Sequence, residues 1–202
     1  MQTTTKTLGL IVNPVAGMGG SVGLKGTDGD LYMEALRLGA DPVTPERTTT
    51  FLAHLEHTQA MRILAAPGDM GARFLQETDV PFEAEDVVGV IEGETSAEDT
   101  KRIARKMMER GAELLIFVGG DGTARDVYDA VDSEIPVVGV PAGVKVYSSV
   151  FALNPRAAAE MVDAFIEGTE VTEQEVLDID EEAFRQDRLA SRHYGYLLVP
   201  QT

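Results

Sequence analysis

Residues 114–131 read LLIFVGGDGTARDVYDAV, and their character changes twice within a few positions. A solid apolar run gives way to Gly-Gly-Asp-Gly-Thr, and that to a mixed pattern of helical type. The first part predicts a strand over 113–120 buried on both faces, and the last a helix over 124–131. One glycine and one capping residue would turn a strand into a helix, yet this hinge has three glycines and a carboxylate. Thr123 is the expected N-cap, with Asp126 completing a capping-box-like pair. The amides of 120–125 then lie at a helix N-terminus, where free N–H groups and the dipole favour an anion.

Outward from this hinge, similar apolar runs occur at 8–13, 62–67, 86–91 and 136–143. They do not alternate with polar residues, as expected for strands of a parallel sheet covered on both sides. Helix signals lie between them. Ser96 starts one segment, with Glu98 and Asp99 in its first turn, apolar Ile103, Ala104, Met107 and Met108, and a stop at Gly111. Asn154 as N-cap, Pro155 at the first helical position and Gly168 past the end define another. Further helices are expected near 29–38, 45–57 and 69–77. Strand and helix alternate, which predicts an α/β fold: an open, mostly parallel sheet with helices on both faces. Past Gly168 the pattern loosens into further strands. The expected division is therefore an α/β domain over 1–168 and the start of a β-rich second domain, or a C-terminal extension, over 169–202.

An open parallel sheet binds ligands beyond the carboxyl ends of its strands. Here every predicted strand exits into a glycine-bearing segment: 13–29, 67–71, 92–96, 119–123 and 141–145. Glycines 119, 120 and 122 lack the Cβ atoms that would hold a phosphate off. Asp121 is then the anomaly, because a carboxylate repels phosphate unless a metal lies between them or it handles a proton. Both roles belong to phosphoryl transfer. An Asx-turn over a tight bend is the structural alternative. The N-terminal loop adds Gly17, Gly19, Gly20 and Lys25; the last loop adds Gly143, Lys145 and Ser148. The lysines are candidate phosphate contacts or solvated surface groups, and Ser148 and Ser149 candidate neutral donors. Neither loop fits a P-loop or an in-place dinucleotide fingerprint. His54 and His57 share a helix face but make only two ligands, too few for a metal site. The basic run 101–106 is explained by pairing of Glu98 and Asp99 with Arg102 on a solvated face.

Cysteine is absent, which excludes disulfides and thiolate chemistry. No apolar run reaches the length of a membrane helix, and the first residues lack a signal-peptide pattern, so a cytoplasmic protein is expected. The formal net charge is -17, from 34 acidic and 17 basic side chains. That opposes nonspecific nucleic-acid binding, which needs basic residues against phosphates. It also poses a question for any phosphate site: what supplies positive charge? Such self-repulsion is tolerable where salt screens it, which suggests a halophilic cytoplasm; a merely acidic mesophilic protein is the alternative.

Taken with 13–29, 67–71, "TSAEDT" (95–100) and "PAGVKVYSSVFA" (141–152), the GGDGTARD stretch resembles the ATP-NAD kinase-like group. That group lies within the superfamily joining NAD kinases and diacylglycerol kinases, and includes the acetoin-catabolism X-type proteins. The resemblance covers nearly the whole chain. It implies an NAD-kinase-like N-terminal domain that transfers phosphate from ATP or polyphosphate to the 2′-hydroxyl of NAD with Mg²⁺. By the same resemblance Gly119, Gly120, Gly122 and Thr123 form the phosphate loop, Asp121 is the catalytic aspartate, and Asn13 lies beside the phosphates. The Asn-Glu pair of typical NAD kinases has no counterpart here, and the 202 residues end before a full second domain forms, so either a fragment or a reduced member of the group is expected. A catalytically inactive nucleotide-binding or regulatory module is therefore the alternative, and a lipid-kinase-like protein a third reading. Nucleotides are the expected partners, without nucleic acid or membrane; self-association is left open.

Overall fold

The computed structural model describes residues 3–17, 30–39, 42–143, 145–180, 182, 183, 186 and 190–202. Five strands, β1 (Lys6–Val12), β2 (Met61–Ala65), β3 (Ala84–Val87), β4 (Leu114–Gly119) and β5 (Val137–Pro141), form one parallel sheet in the order β3-β2-β1-β4-β5. The chain builds outward from β1 to β3, then returns to the other side of β1 for β4 and β5. That reversal opens a crevice between the carboxyl ends of β1 and β4.

The doubly apolar strands explain why helices cover both faces. Leu8, Leu10, Val12, Leu114, Ile116 and Val118 point into one core. There they meet Phe51 and Leu52 of α2 (Thr44–Ala53), Phe74 and Leu75 of α3 (Ala72–Glu77), and Ala158, Val162 and Ile166 of α6 (Pro155–Glu167). The intervening side chains Ile11, Leu115 and Phe117 face the opposite core. Its cover is Ile103, Ala104 and Met107 of α4 (Ala97–Glu109) and Ala124, Val127 and Val131 of α5 (Asp121–Val131). A short helix, α1 (Asp30–Arg37), precedes α2. Two of the three N-caps read from the sequence form: Ser96 and Asp99 make a reciprocal capping box, and Asn154 Oδ1 accepts the Ala157 amide at 2.8 Å.

Four boundaries differ from the sequence reading by more than two residues. β3 spans Ala84–Val87 rather than 86–91, and it is an edge strand that pairs only with β2 and is largely exposed. Gly89, at φ +89°, breaks the extended run that its apolar composition suggested. The segment read as 45–57 stops at Ala53 and continues as a 3₁₀ turn, Thr58–Ala60. The segment read as 69–77 is split by Gly71. Finally, α5 begins at Asp121, with Gly120 as N-cap and no side-chain cap. Thr123 is thus inside the helix, not its cap, because its side chain is buried and occupied elsewhere.

Beyond Gly168, whose left-handed conformation ends α6, β6 (Val171–Ile179) and β7 (Ser191–Pro200) make an antiparallel hairpin with a register shift at Val176/Leu177. The hairpin lies on α5. Val176, Leu197 and Val199 enter the second core, and the Tyr194 ring meets Tyr128 edge-on at 5.4 Å. The Tyr194 hydroxyl donates to Asp129 Oδ1 at 2.7 Å, while Lys101 reaches Asp129 Oδ2 at 3.2 Å. The hydrogen bond to Asp129, with burial, raises the Tyr194 pKa. Gly195 is where the hairpin comes closest, since a Cβ there would overlap the Tyr128 ring. Gly195→Ala is therefore expected to cost about 1–3 kcal/mol by overpacking, read as a lower urea midpoint with an unchanged slope.

Candidate functional site

At the end of β1, the Asn13 amide donates to Val118 O at 2.8 Å, so the strand's last polar group is tied to β4. Its side chain then bridges the two sides of the crevice: Oδ1 accepts the Val15 amide at 3.2 Å, and Nδ2 donates to Thr123 Oγ1 at 3.0 Å. One asparagine thus joins the loop after β1 to the first turn of α5. Gly17 brings that loop to the end of β5. It sits at φ +75°, and a Cβ would collide with the Ala142 carbonyl and crowd Val43. Thr44, at the start of α2, donates from its hydroxyl to Pro14 O at 3.2 Å, which sets a second helix N-terminus at the same edge. Gly19, Gly20 and Lys25 lie outside the described residues.

The three glycines of the β4–α5 hinge have different causes. Gly119 is required by packing, since a Cβ would run into Thr123. Gly120 is not: its φ of -118° and ψ of -165° suit any residue, and a Cβ would meet nothing within 4 Å. Gly122, inside α5, would place a Cβ 3.7 Å from Arg125 Nη2 and near nothing else. Glycine in a helix costs about 0.8–1.0 kcal/mol relative to alanine. The fold therefore tolerates side chains at 120 and 122, and the bare backbone there leaves a cradle that a Cβ would fill. Gly143 is similarly open, with only Lys145 backbone atoms within 4 Å, and Lys145 itself is exposed.

Asp121 is the carboxylate of this cradle, and its position is fixed from one side. The Tyr147 amide donates to Oδ1 at 3.2 Å and Oδ2 at 3.0 Å, and the Ser148 amide donates to Oδ1 at 2.7 Å. The sequence reading treated Ser148 as a phosphate donor. In the fold its hydroxyl is buried and accepts the Leu177 amide of β6 at 2.9 Å. Next to it, Ser149 and Glu175 share three bonds: Ser149 N to Glu175 O at 2.9 Å, Glu175 N to Ser149 Oγ at 2.8 Å, and Ser149 Oγ to Glu175 O at 3.3 Å. A continuous hydrogen-bonded path therefore runs from Asp121 through 147–149 to the hairpin. Sequence inspection could not find these partners, because 26–29 residues separate the bonded groups. It also passed over Arg125, although spacings of three and four from Gly122 and Asp121 put it on their helix face.

The described residues hold no cluster of three His or carboxylate side chains able to bind a metal. His57 instead pairs with Glu167 at 2.8 Å, and His54 with the Thr50 carbonyl. A groove of about 300 Å³ lies beside them at the opposite, amino end of the sheet, lined by His54, His57, Arg156, Glu160, Asp163 and Glu167 among others. Two ion pairs lie along it, His57–Glu167 and Arg156–Glu160, the latter at 3.3 Å. Asp163 accepts the amides of Glu56 and His57, and burial raises its pKa despite those bonds. In the basic run of α4, Arg102 pairs with Asp99 as expected, whereas Glu98 pairs with Lys101, which also reaches Asp129. Among the described residues no helix is long and apolar enough to cross a membrane.

An open parallel sheet with helices on both faces, whose reversal point is walled by glycine loops and two helix N-termini, defines a doubly wound α/β protein. The chain belongs to the ATP-NAD kinase family: the ATP-NAD kinase N-terminal domain matches residues 8–170. Among solved structures, a diacylglycerol kinase from Bacillus anthracis str. Sterne aligns at 16% identity and a TM-score of 0.42, over 90% of this chain and 48% of that one. A second structure, assigned provisionally to the same kinase class in that organism, gives 17% and 0.43, over 90% and 45%. The chain thus spans about half the length of these structures. No curated protein matches it.

Proposed function

We propose that the chain forms the nucleotide-phosphate half of a small-molecule kinase that moves phosphate from ATP or polyphosphate to the 2′-hydroxyl of NAD. The observation that carries this reading is the pair Gly120 and Gly122, bare without a packing reason, on either side of Asp121. Amides at the start of α5 would bind phosphate oxygens, aided by the helix dipole. Asp121 would take the proton of the attacking hydroxyl. The new bond joins the ribose 2′-oxygen to the terminal phosphorus, the bond from that phosphorus to its bridging oxygen breaks, and ADP, or a polyphosphate one unit shorter, departs. Asn13 and Thr123 keep the two loops at a fixed separation, and 147–149 hold the carboxylate's orientation.

One carboxylate with backbone amides is a poor cage for Mg²⁺. It would suit an ion brought in on the nucleotide's phosphates with most of its water, with Asp121 as the carboxylate available to hold it. Such an ion would neutralise charge on the transferring group. A second reading, a binding module without turnover, is favoured by the same hydrogen bonds that position Asp121, since both of its oxygens already have partners.

The deciding experiment incubates the purified chain with NAD, Mg²⁺ and either ATP or polyphosphate in high salt, and follows NADP by chromatography. In parallel, thermal shift is measured with each nucleotide. NADP formation supports the kinase. Stabilisation by ATP without NADP supports the module, at about 2.7 kcal/mol for ligand at 100 times its dissociation constant.

A further inference from the structure

The site has a charge problem: the protein carries a net charge of -17, and the cradle itself holds a carboxylate. Arg125 answers it. It lies four residues after Asp121 and three after Gly122 on α5, hence on their face of the helix. Its Nη2 stands 3.7 Å from where a Gly122 Cβ would be, at the rim of the space those glycines leave open. Its Nη1 is paired with Asp178 Oδ1 of β6 at 3.1 Å. Asp178 has a second cationic partner, since its Oδ2 lies 3.4 Å from Arg192 Nη2.

Resting on the reading of the glycine hinge as a nucleotide-phosphate site, we propose that Arg125 is a phosphate-binding residue, held by Asp178 until a nucleotide phosphate takes its place. A part-exposed ion pair is weak, whereas a guanidinium presents two parallel N–H donors to phosphate oxygens and gains more from them. When Arg125 turns to the ligand, Asp178 keeps Arg192, so no carboxylate is left uncompensated. Lysine at 125 would supply the charge without the planar fork. The ligand chemistry is a phosphate chain: ATP and inorganic triphosphate should engage Arg125, and adenosine should not.

The test exploits the fact that Arg125→Gln and Asp178→Asn break the same ion pair. Dissociation constants of ATP, inorganic triphosphate and adenosine are measured by calorimetry on the full chain and on both variants, with Arg125→Lys as a third. The expected result is that Arg125→Gln weakens ATP and triphosphate about tenfold or more, Asp178→Asn tightens both, and Arg125→Lys falls between. Adenosine affinity stays level throughout. If Arg125→Gln and Asp178→Asn move ATP affinity in the same direction, the ion pair matters only to the fold and the inference is overturned. It is equally overturned if ATP binds the parent and Arg125→Gln alike. A parent chain that binds neither ATP nor triphosphate overturns the phosphate-site reading itself, and Arg125's role with it.

Discussion

Asp121→Asn is expected to reduce phosphate transfer by a factor of about 10²–10⁴, the usual contribution of a positioned general base. The substitution keeps the size of the side chain and removes its ability to take a proton. Its second consequence is local. The carboxylate accepts from two amides, and an asparagine offers one oxygen and an NH₂ group in their place. With its oxygen in place of Oδ1 the asparagine still accepts from both amides, but its NH₂ group then faces the Tyr147 N–H, which weakens the clasp by about 1 kcal/mol. The two consequences separate by measurement. Loss of the base lowers kcat with the KM for ATP unchanged, whereas loosening of 147–149 also lowers Tm. Equal turnover by parent and variant would remove Asp121 from the chemistry and leave it as the clasp between α5 and 147–149.

Gly122→Ala should move stability and binding in opposite directions. In the helix, alanine gains up to about 1 kcal/mol over glycine, and here the new methyl meets only the far end of Arg125, at ordinary contact distance. The folded chain should therefore melt at the same or a higher temperature. Nucleotide affinity should fall by about tenfold or more, 1.4 kcal/mol, because the methyl occupies the space against which a phosphate would lie. A thermal melt and an ATP titration on one preparation check both signs. A variant that gains stability and binds ATP as well as the parent would show that the bare backbone at 122 serves nothing at this site.

The sheet was legible because β1, β4 and β5 are apolar on both faces, a pattern that fits few alternatives. β3 misled for the same reason: its apolar residues 87–91 straddle the end of an edge strand, where exposure depends on having one neighbour rather than two. Local caps at Ser96 and Asn154 could be read because donor and acceptor lie within one turn. Thr123 could not, since Asn13, 110 residues earlier, claims its hydroxyl. Likewise, the sequence offered three equivalent glycines at 119, 120 and 122. Only packing separates the one that Thr123 forces from the two that nothing in the protein forces. Asp121 was visible as an anomaly, but its amide partners became apparent only when the fold brought 147–149 beside it.

The serine stitch between 148–149 and β6 has an evolutionary consequence. A chain in which everything after residue 168 was exchanged would keep the glycine hinge but lose the β6 template that aims the Asp121 carboxylate. Recombination at that point would be tolerated only by a replacement that again presents backbone donors and acceptors to Ser148 and Ser149. The hairpin is therefore part of the unit that aims the Asp121 carboxylate, joined to it through 147–149 rather than appended after α6.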